Sequence, residues 1–442
     1  MHCLYFAGWR TLARRAVPAS CREICRLTTH FRRKCGYIWH VSVISHVNPL
    51  GPSVVSELFQ LLRDGLPRTR TELAAMTGLA RSTVAARIDT LMELGLVAPV
   101  GEAVSTGGRP STQFAIASSG KIVIGVDLGA SHLRIGASDL TGRILASRLE
   151  TIDIAAGPEI ILNRVAELGL ELLAEVGRPM SDLLAIGVGL PGPVEFEIGL
   201  PINPPIMPGW NRFDVPGRLQ STFAAPVLVD NDVNIMALGE REFAWPDTNH
   251  LLFVKVATGI GSGVIAGGYL QRGAQGTAGD IGHVHIVRGD DVACKCGNFG
   301  CLEALAAGPA IARTLREQGI AAETASDVAE LVQMGNIQAI QAMRQAGRDI
   351  GEVLTTCVSL INPSVIVMGG SLAQAGEHLI AGVREIVYAR SIPLATEHLQ
   401  ITQSKAGADG GLLGASMLAI HHALSPARIE AMVESAPAKV KA

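Results

Sequence analysis

The chain has no run of about 18 apolar residues free of charges and turn residues, the length a helix needs to cross a bilayer, so no membrane span is expected. It lacks a disulfide framework too: of its eight cysteines, three crowd into one eight-residue stretch, a usage that suits a reducing cytoplasm. Charge of one sign is also missing. At a net charge of −3, any contact with nucleic acid must come from a local basic patch. Aromatics make up only 4 % against 49 glycines, which fits an alanine- and valine-rich α/β chain full of tight turns. With 442 residues, 48 % of them hydrophobic, more than one core can be buried, and two or three domains are expected.

What the chain does concentrate is chemistry between Gly279 and Glu303. Here Gly-Asp280-Ile-Gly-His283-Val-His285 is followed by Cys294-Lys-Cys296-Gly-Asn-Phe-Gly-Cys301-Leu-Glu303. His283, Cys294, Cys296 and Cys301 offer one imidazole and three thiolates, the soft tetrahedral set of a closed structural zinc site. Gly297 and Gly300 let the backbone fold the thiolates onto one metal. A closed site has no position for water, so such a zinc fixes a loop instead of doing chemistry. The fixed loop then carries Asp280, His283 and Glu303 toward a small polar ligand. His285, two residues beyond His283, points to the other face of an extended segment.

Residues 1–46 differ from the rest. Arg10, Arg14, Arg15, Arg22, Arg26, Arg32, Arg33 and Lys34 face one acid, Glu23, and no periodicity is sustained. A targeting peptide and a basic DNA-binding arm both fit this composition, although a secretory signal's compact apolar core is missing. We read the segment as a basic, disordered leader, part of it translated upstream sequence. The folded protein then begins near 41–54, and native peptides from residues 1–30 would overturn that reading.

From Val54 the pattern turns helical, with Val54, Val55, Leu58, Leu61 and Leu62 at three- and four-residue steps. Thr69-Arg-Thr-Glu72 is a capping box opening a helix through Met76, Gly78 makes a turn, and a third helix runs from Arg81 to Leu94. Short helix, glycine turn and second helix form a helix-turn-helix. The third helix presents Arg81, Ser82, Thr83 and Arg87 near its N-terminus, the end that meets base edges and phosphates. Two β-stretches, 96–104 and 113–116, flank a wing with Arg109 at its tip, a candidate for the minor groove. Acids nearly balance these arginines, so useful affinity needs a dimer on two half-sites. The DNA-binding domain is placed at 50–118.

After Gly120 the pattern becomes α/β. Ile122–Asp127 is a buried strand ending in an acid, with a tight turn through Gly129 and Ser131 into a second strand; 143–148 reads as a third strand, 157–177 as an amphipathic helix and 184–190 as an apolar strand. Such a turn can hold phosphate and place an acid beside magnesium. Pro226–Asp230 is another buried strand, followed by Asn231, Asp232 and Asn234 before a helix at 235–243. Asp232 at this strand end could act as general base on a sugar hydroxyl and Asn231 could bind a neighbouring hydroxyl; a helix N-cap by Asp232 or Asn234 is the alternative. Leu251–Val256 leads into a second glycine turn, Thr258-Gly259-Ile-Gly261-Ser-Gly263, and a third lies at Gly369-Gly370. The two strand-turn-strand openings, 122–140 and 251–266, look like a duplicated half-domain facing a cleft. The lobes are placed at 120–232 and at 233–424, the second including the C-terminal helix, with 425–442 as a short helical tail.

The cysteine signature, with Val-Gly-Leu-Pro-Gly-Pro193 and Asn231-Asp232 upstream, resembles the ROK family of sugar kinases and sugar-responsive repressors over roughly 120–422. The wing, ending Gly107-Gly-Arg109-Pro110, looks like that family's repressor branch and extends the resemblance to about 50. It implies an actin-like, two-lobed sugar-kinase fold of the ribonuclease H-like kind. It also implies zinc on His283, Cys294, Cys296 and Cys301, and a sugar held by Asn231, Asp232, His283 and Glu303. Asp280 stands where the family usually has glutamate. The family's first phosphate turn normally reads Asp-x-Gly-Gly-Thr; here it is Asp127-Leu-Gly129-Ala-Ser131, and Ala130 adds a methyl where phosphate approaches. The reading is a sugar-responsive repressor of double-stranded DNA operators, a homodimer or dimer of dimers, in which sugar closes the cleft and changes the spacing of the winged helices. The alternative is an ATP-dependent hexose kinase with Asp232 as base. ATP and magnesium would then meet Asp127, Gly129, Ser131, Thr258, Gly259, Gly261, Gly369 and Gly370.

Overall fold

A computed structural model of the chain describes residues 54–102 and 110–435. The leader 1–46, the wing tip with Arg109 and residues 436–442 lie outside the described residues. Among the described residues no helix is long and apolar enough to cross a membrane.

The N-terminal part contains α1 (Val54–Gln60), β1 (Arg68–Thr69), α2 (Arg70–Thr77), α3 (Arg81–Glu93), β2 (Val97–Glu102) and β3 (Thr112–Ile116). Leu58, Phe59, Leu62, Leu73, Val84, Ile88 and Leu91 bury the helical faces that their spacing predicts. The capping box is present: the Thr69 hydroxyl accepts the Glu72 amide, and Glu72 accepts the Thr69 amide at 2.7 Å. Gly78 ends α2 at φ 71°, the left-handed conformation that a glycine adopts without strain. A third strand, β1, pairs antiparallel with β3 to give the order β1-β3-β2. At two residues it is too short to leave a period in the sequence.

The first lobe holds β4 (Ile122–Leu128), β5 (His132–Asp139), β6 (Ile144–Thr151), α4 (Pro158–Glu175), β7 (Leu183–Leu190), β8 (Val194–Glu195), β9 (Leu200–Pro201), α5 (Val215–Gln220), β10 (Val227–Asn231) and α6 (Asp232–Ala244). The second holds β11 (Leu251–Val256), β12 (Ile260–Ala266), β13 (Tyr269–Gln271), α7 (Leu302–Ala306), α8 (Gly308–Glu317), α9 (Ala325–Gln333), α10 (Ile337–Ile361), β14 (Val365–Gly369), α11 (Ser371–Gln374), α12 (His378–Arg390), α13 (Pro393–Thr396) and β15 (Gln400–Gln403). Then come α14 (Gly410–Ala423) and α15 (Pro426–Ser435).

The two five-stranded sheets have one topology. Their orders are β10-β7-β4-β5-β6 and β15-β14-β11-β12-β13; in each, an antiparallel meander of three strands continues into two parallel ones. β4 and β7 are fully or nearly fully buried, as strands covered on both faces must be.

Chain order misassigns the end of the protein. The C-terminal helix α14, read with the second lobe, packs across β4 and β7 of the first: a Cβ on Gly187 would lie 2.0 Å from the Ala415 carbonyl oxygen. It also crosses α6, where a Cβ on Gly414 would lie 1.8 Å from the Ile235 oxygen. Helix α6 in turn lays Val233 and Ala237 on Phe253 and Ile265 of the second sheet, while Ile235 and Leu238 meet Ala415 and Leu418. α6 and α14 are therefore the joint between the lobes. Helix α15 packs on the winged helix: Ile429 is buried with Val55, Leu58, Phe59 and Leu62, and the Ser56 hydroxyl donates to Glu430 at 3.0 Å. The winged helix and the first lobe thus share one core.

Candidate functional site

Two acids stand at the strand ends facing the joint. Asp127 comes from β4 and Asp232 opens α6, and both side chains are at least nine-tenths buried. The helix begins three residues earlier than expected, so Asp232 is inside its first turn, near the positive end of the helix dipole. The N-cap falls on neither Asp232 nor Asn234 but on Asn231. Its Oδ1 accepts the amides of Val233 and Asn234, at 2.9 and 3.4 Å, and its Nδ2 donates to the Gly192 oxygen at 2.9 Å. Both ends of the Asn231 side chain are thus engaged in holding the backbone.

Lys255 was missed in the sequence. It lies on β11, otherwise an apolar strand, and its ammonium forms an ion pair with Asp232. Burial alone would lower its pKa; the charge of Asp232, its hydrogen bond and the charge of Asp127 outweigh that and raise it above the ordinary lysine value. A lysine inside Leu-Leu-Phe-Val-Lys-Val was the available signal, because a buried cation requires a partner. Asp230 and Arg272 were missed as well. The carboxylate of Asp230 accepts from Asn234 Nδ2 at 2.9 Å and from Arg272 Nε at 2.7 Å, and Arg272 stacks 3.6 Å over the Phe196 ring centroid.

The second glycine turn gathers the remaining residues. Glu303 accepts the Ile260 amide at 3.1 Å, and a Cβ on Gly259 would stand 2.7 Å from its Oε2. On the other side, a Cβ on Gly261 would press on Val233 at 3.1 Å. These glycines admit Glu303 and α6 to the turn, a packing demand independent of phosphate. Gly369 and Gly370 have a similar reason: a Cβ on Gly369 would strike the Phe253 ring and one on Gly370 the Val256 oxygen. The segment carrying Asp280 and His283 runs beside the turn, with the Ser262 amide donating to the Gly279 oxygen at 2.8 Å. Asp280, His283 and Thr258 are exposed.

At the first turn, His132 fills space that the sequence reading left for a ligand. Its Nε2 is 3.4 Å from Asp127 Oδ2, and a Cβ on Gly129 would lie 2.1 Å from the ring. Ser131 is exposed, and its backbone oxygen accepts the Ile152 amide.

The four sulfur and imidazole ligands do come together. The ligand atoms of His283, Cys294, Cys296 and Cys301 all lie within 4.8 Å of one another, a cluster able to hold a metal ion. The Cys294 sulfur is 3.8 Å from His283 Nδ1, and those of Cys296 and Cys301 are 3.6 Å apart. The Asn298 amide and neighbouring thiols hold the Cys296 thiol down to about 7, while burial and the same crowding push Cys301 up to about 12. His285 lies outside the cluster, 3.0 Å from Asp290.

On the winged helix, Arg81 and Ser82 are exposed and Thr83 and Arg87 half-exposed at the start of α3. Among the described residues neither arginine is in an ion pair, unlike Arg70, which bonds Asp89 and covers Phe114.

The fold and site define a winged-helix protein whose second part is a two-lobed domain of the sugar-kinase kind. The chain belongs to the ROK family, whose model matches residues 123–422, and an IclR helix-turn-helix domain matches residues 55–101. The xylose repressor of Bacillus spizizenii is 28 % identical over 361 residues, 81 % of this chain and 92 % of its own length. The crystal structure of a ROK family transcriptional regulator, a homologue of the E. coli MLC protein, covers 86 % of this chain and 97 % of its own at a TM-score of 0.73, with 23 % identity. The ROK hexokinase of Thermus thermophilus, 32 % identical at a TM-score of 0.58, covers 67 % of this chain and 97 % of its own.

Proposed function

We propose that this protein is a sugar-responsive, DNA-binding transcriptional repressor. The observation that carries this reading is the physical continuity of DNA module and cleft. Helix α14 begins against the Asp127 carboxylate, where a Cβ on Gly411 would lie 2.1 Å from it, and ends in α15, which shares the core of α1. The relatives point the same way, since the repressor matches 81 % of this chain, more than the two-lobed part alone, while the hexokinase covers 67 %.

In this reading Asp232, Asp280, His283 and Glu303 bind sugar hydroxyls, with Asn231 holding the backbone between them. His283, Cys294, Cys296 and Cys301 hold a structural zinc, whose place is to fix the loop and not to activate water. The protein acts in the cytoplasm as a homodimer, placing two α3 helices and two Arg109 wings on operator half-sites. Sugar shifts the population of lobe angles, and α14 and α15 carry the shift to α1.

The test is a pull-down of genomic fragments with the full chain, repeated with Arg87→Ala and Arg109→Ala and with a hexose and pentose panel. Fragments recovered, lost in the variants and altered by one sugar sustain the reading. A second reading, an ATP-dependent hexose kinase, is favoured by the buried Asp232 and by the hexokinase likeness. A coupled ATPase assay over the same panel decides it, since an enzyme would turn over at about 1–10³ per second.

A further inference from the structure

A kinase of this fold needs a divalent cation and nucleotide phosphates beside its cleft acids. The residues present do not fit that pair. Magnesium demands near-octahedral oxygen ligands at about 2.0–2.1 Å and keeps several waters, so it needs open carboxylate oxygens and room. Here the ammonium of Lys255 already forms an ion pair with Asp232, and Asp127 acts on that same ammonium. Beside Asp127 stands the His132 imidazole, 3.4 Å away, its ring over Gly129 where a phosphate turn should be bare.

Lys255 also comes from the other side of the joint. It belongs to β11 of the second sheet, whereas Asp127 ends β4 of the first and Asp232 opens the helix between them. We propose that Lys255, with His132 beside it, takes the place of the divalent cation and phosphate in this cleft, as an internal counterion that lets the lobes close on a neutral sugar without metal or nucleotide. The inference rests on the repressor reading and sharpens it: sugar is bound and not phosphorylated because the chain supplies its own cation. Asp232 then serves as a hydrogen-bond acceptor for a sugar hydroxyl and shares that hydroxyl with the ammonium. Lys255 positions the acid and sets the charge the cleft accepts.

The experiment uses the full, zinc-loaded chain with Mn²⁺ as probe, read by electron paramagnetic resonance, and adenylyl imidodiphosphate, read by calorimetry. Wild type is expected to bind neither at low millimolar concentration. Lys255→Met leaves two acids without their cation and is expected to bind Mn²⁺ about tenfold or more tightly than wild type, since a unit charge a few ångströms away is removed. Lys255→Arg should remain like wild type, and Asp232→Asn added to Lys255→Met should abolish the gained site. Micromolar binding of Mn²⁺ with the nucleotide analogue by wild type would overturn the proposal without any variant. So would a folded Lys255→Met protein that binds Mn²⁺ no better than wild type. Neither readout uses DNA or sugar, so failure here is separate from failure of the operator pull-down.

Discussion

Two irregular segments border the joint, 191–214 in the first lobe and 272–301 in the second, and they are held in opposite ways. The first is anchored by hydrophobic burial: Trp210 is fully buried, its indole N–H donates to the Ile154 oxygen at 3.1 Å, and Met207 and Val194 pack into the same core. The second buries Ile281 and Ile286 but turns Val284, Val287 and Phe299 outward. Its hold is polar: Arg272 on Asp230 at its start, Arg288 on the buried Asp349 in its middle, and the His283–Cys294–Cys296–Cys301 cluster at its end. A segment with so little apolar area does not repay its own ordering entropy, which is the physical argument for a metal in the second and against any need of one in the first.

The largest effect comes from breaking the apolar anchor. Trp210→Ala is expected to cost about 3–5 kcal/mol, through lost burial, a cavity and the loss of the indole hydrogen bond to the Ile154 oxygen, with no dependence on chelator. Urea unfolding checks it, and a loss under about 1 kcal/mol would mean that the segment is held by something other than the tryptophan.

Next comes the clasp between the two segments, since Arg272 begins the second and stacks on Phe196 of the first. Arg272→Met keeps much of the stem but leaves the Asp230 carboxylate buried without its cation, at a cost of about 3 kcal/mol. Asp230→Asn with Arg272→Met should recover part of that loss, which a double-mutant cycle measures. No recovery would show that the arginine acts through packing on Phe196 alone.

If the cluster holds zinc as proposed, chelation should move global stability less, by about 1–2 kcal/mol, because the loop can detach while the sheet beneath it stays folded. The local effect is larger. After chelation, or in Cys296→Ser, trypsin should cut at Arg288 and Lys295 in a protein that still melts cooperatively. Unchanged cleavage with full metal loss would remove zinc from the account.

The contrast also explains what could be read ahead. Elements whose signal is local were legible: the Thr69 capping box, the Gly78 turn, the buried strands 122–128 and 183–190, and three cysteines in one short stretch. The position of Asp232, just after β10, was legible too, because strand ends are where polar groups in an apolar pattern stand out. What failed to show depends on partners distant in sequence. Lys255 meets Asp232 across 23 positions, Arg272 meets Asp230 across 42, and His132 turns back over Gly129 through the geometry of one hairpin. Helix α14 follows the second sheet in the chain and packs on the first, since its small face of Gly411, Gly414 and Ala415 fits β4, β7 and α6, a match that no periodicity announces.

An effect of no larger size tests the surroundings of the clasp by pH. His421 on α14 lies 3.8 Å from Glu242, but burial, and then Arg63, Arg241 and Arg272, push its pKa down to about 4 against the opposing pull of Glu242. A histidine whose folded pKa lies below its unfolded value of 6.5 is neutral in the folded state and takes up a proton on unfolding. Its contribution is therefore fully present above pH 6.5 and is lost as pH falls toward 4. The shift would be worth more for a sealed group. With a third of the side chain exposed, screening reduces it to about 1–2 kcal/mol across that window. Urea midpoints taken from pH 7 to pH 4.5 should fall less steeply in His421→Gln than in wild type. Equal slopes would mean that Glu242 dominates His421, and that the cations of α6 and the clasp do not act on it.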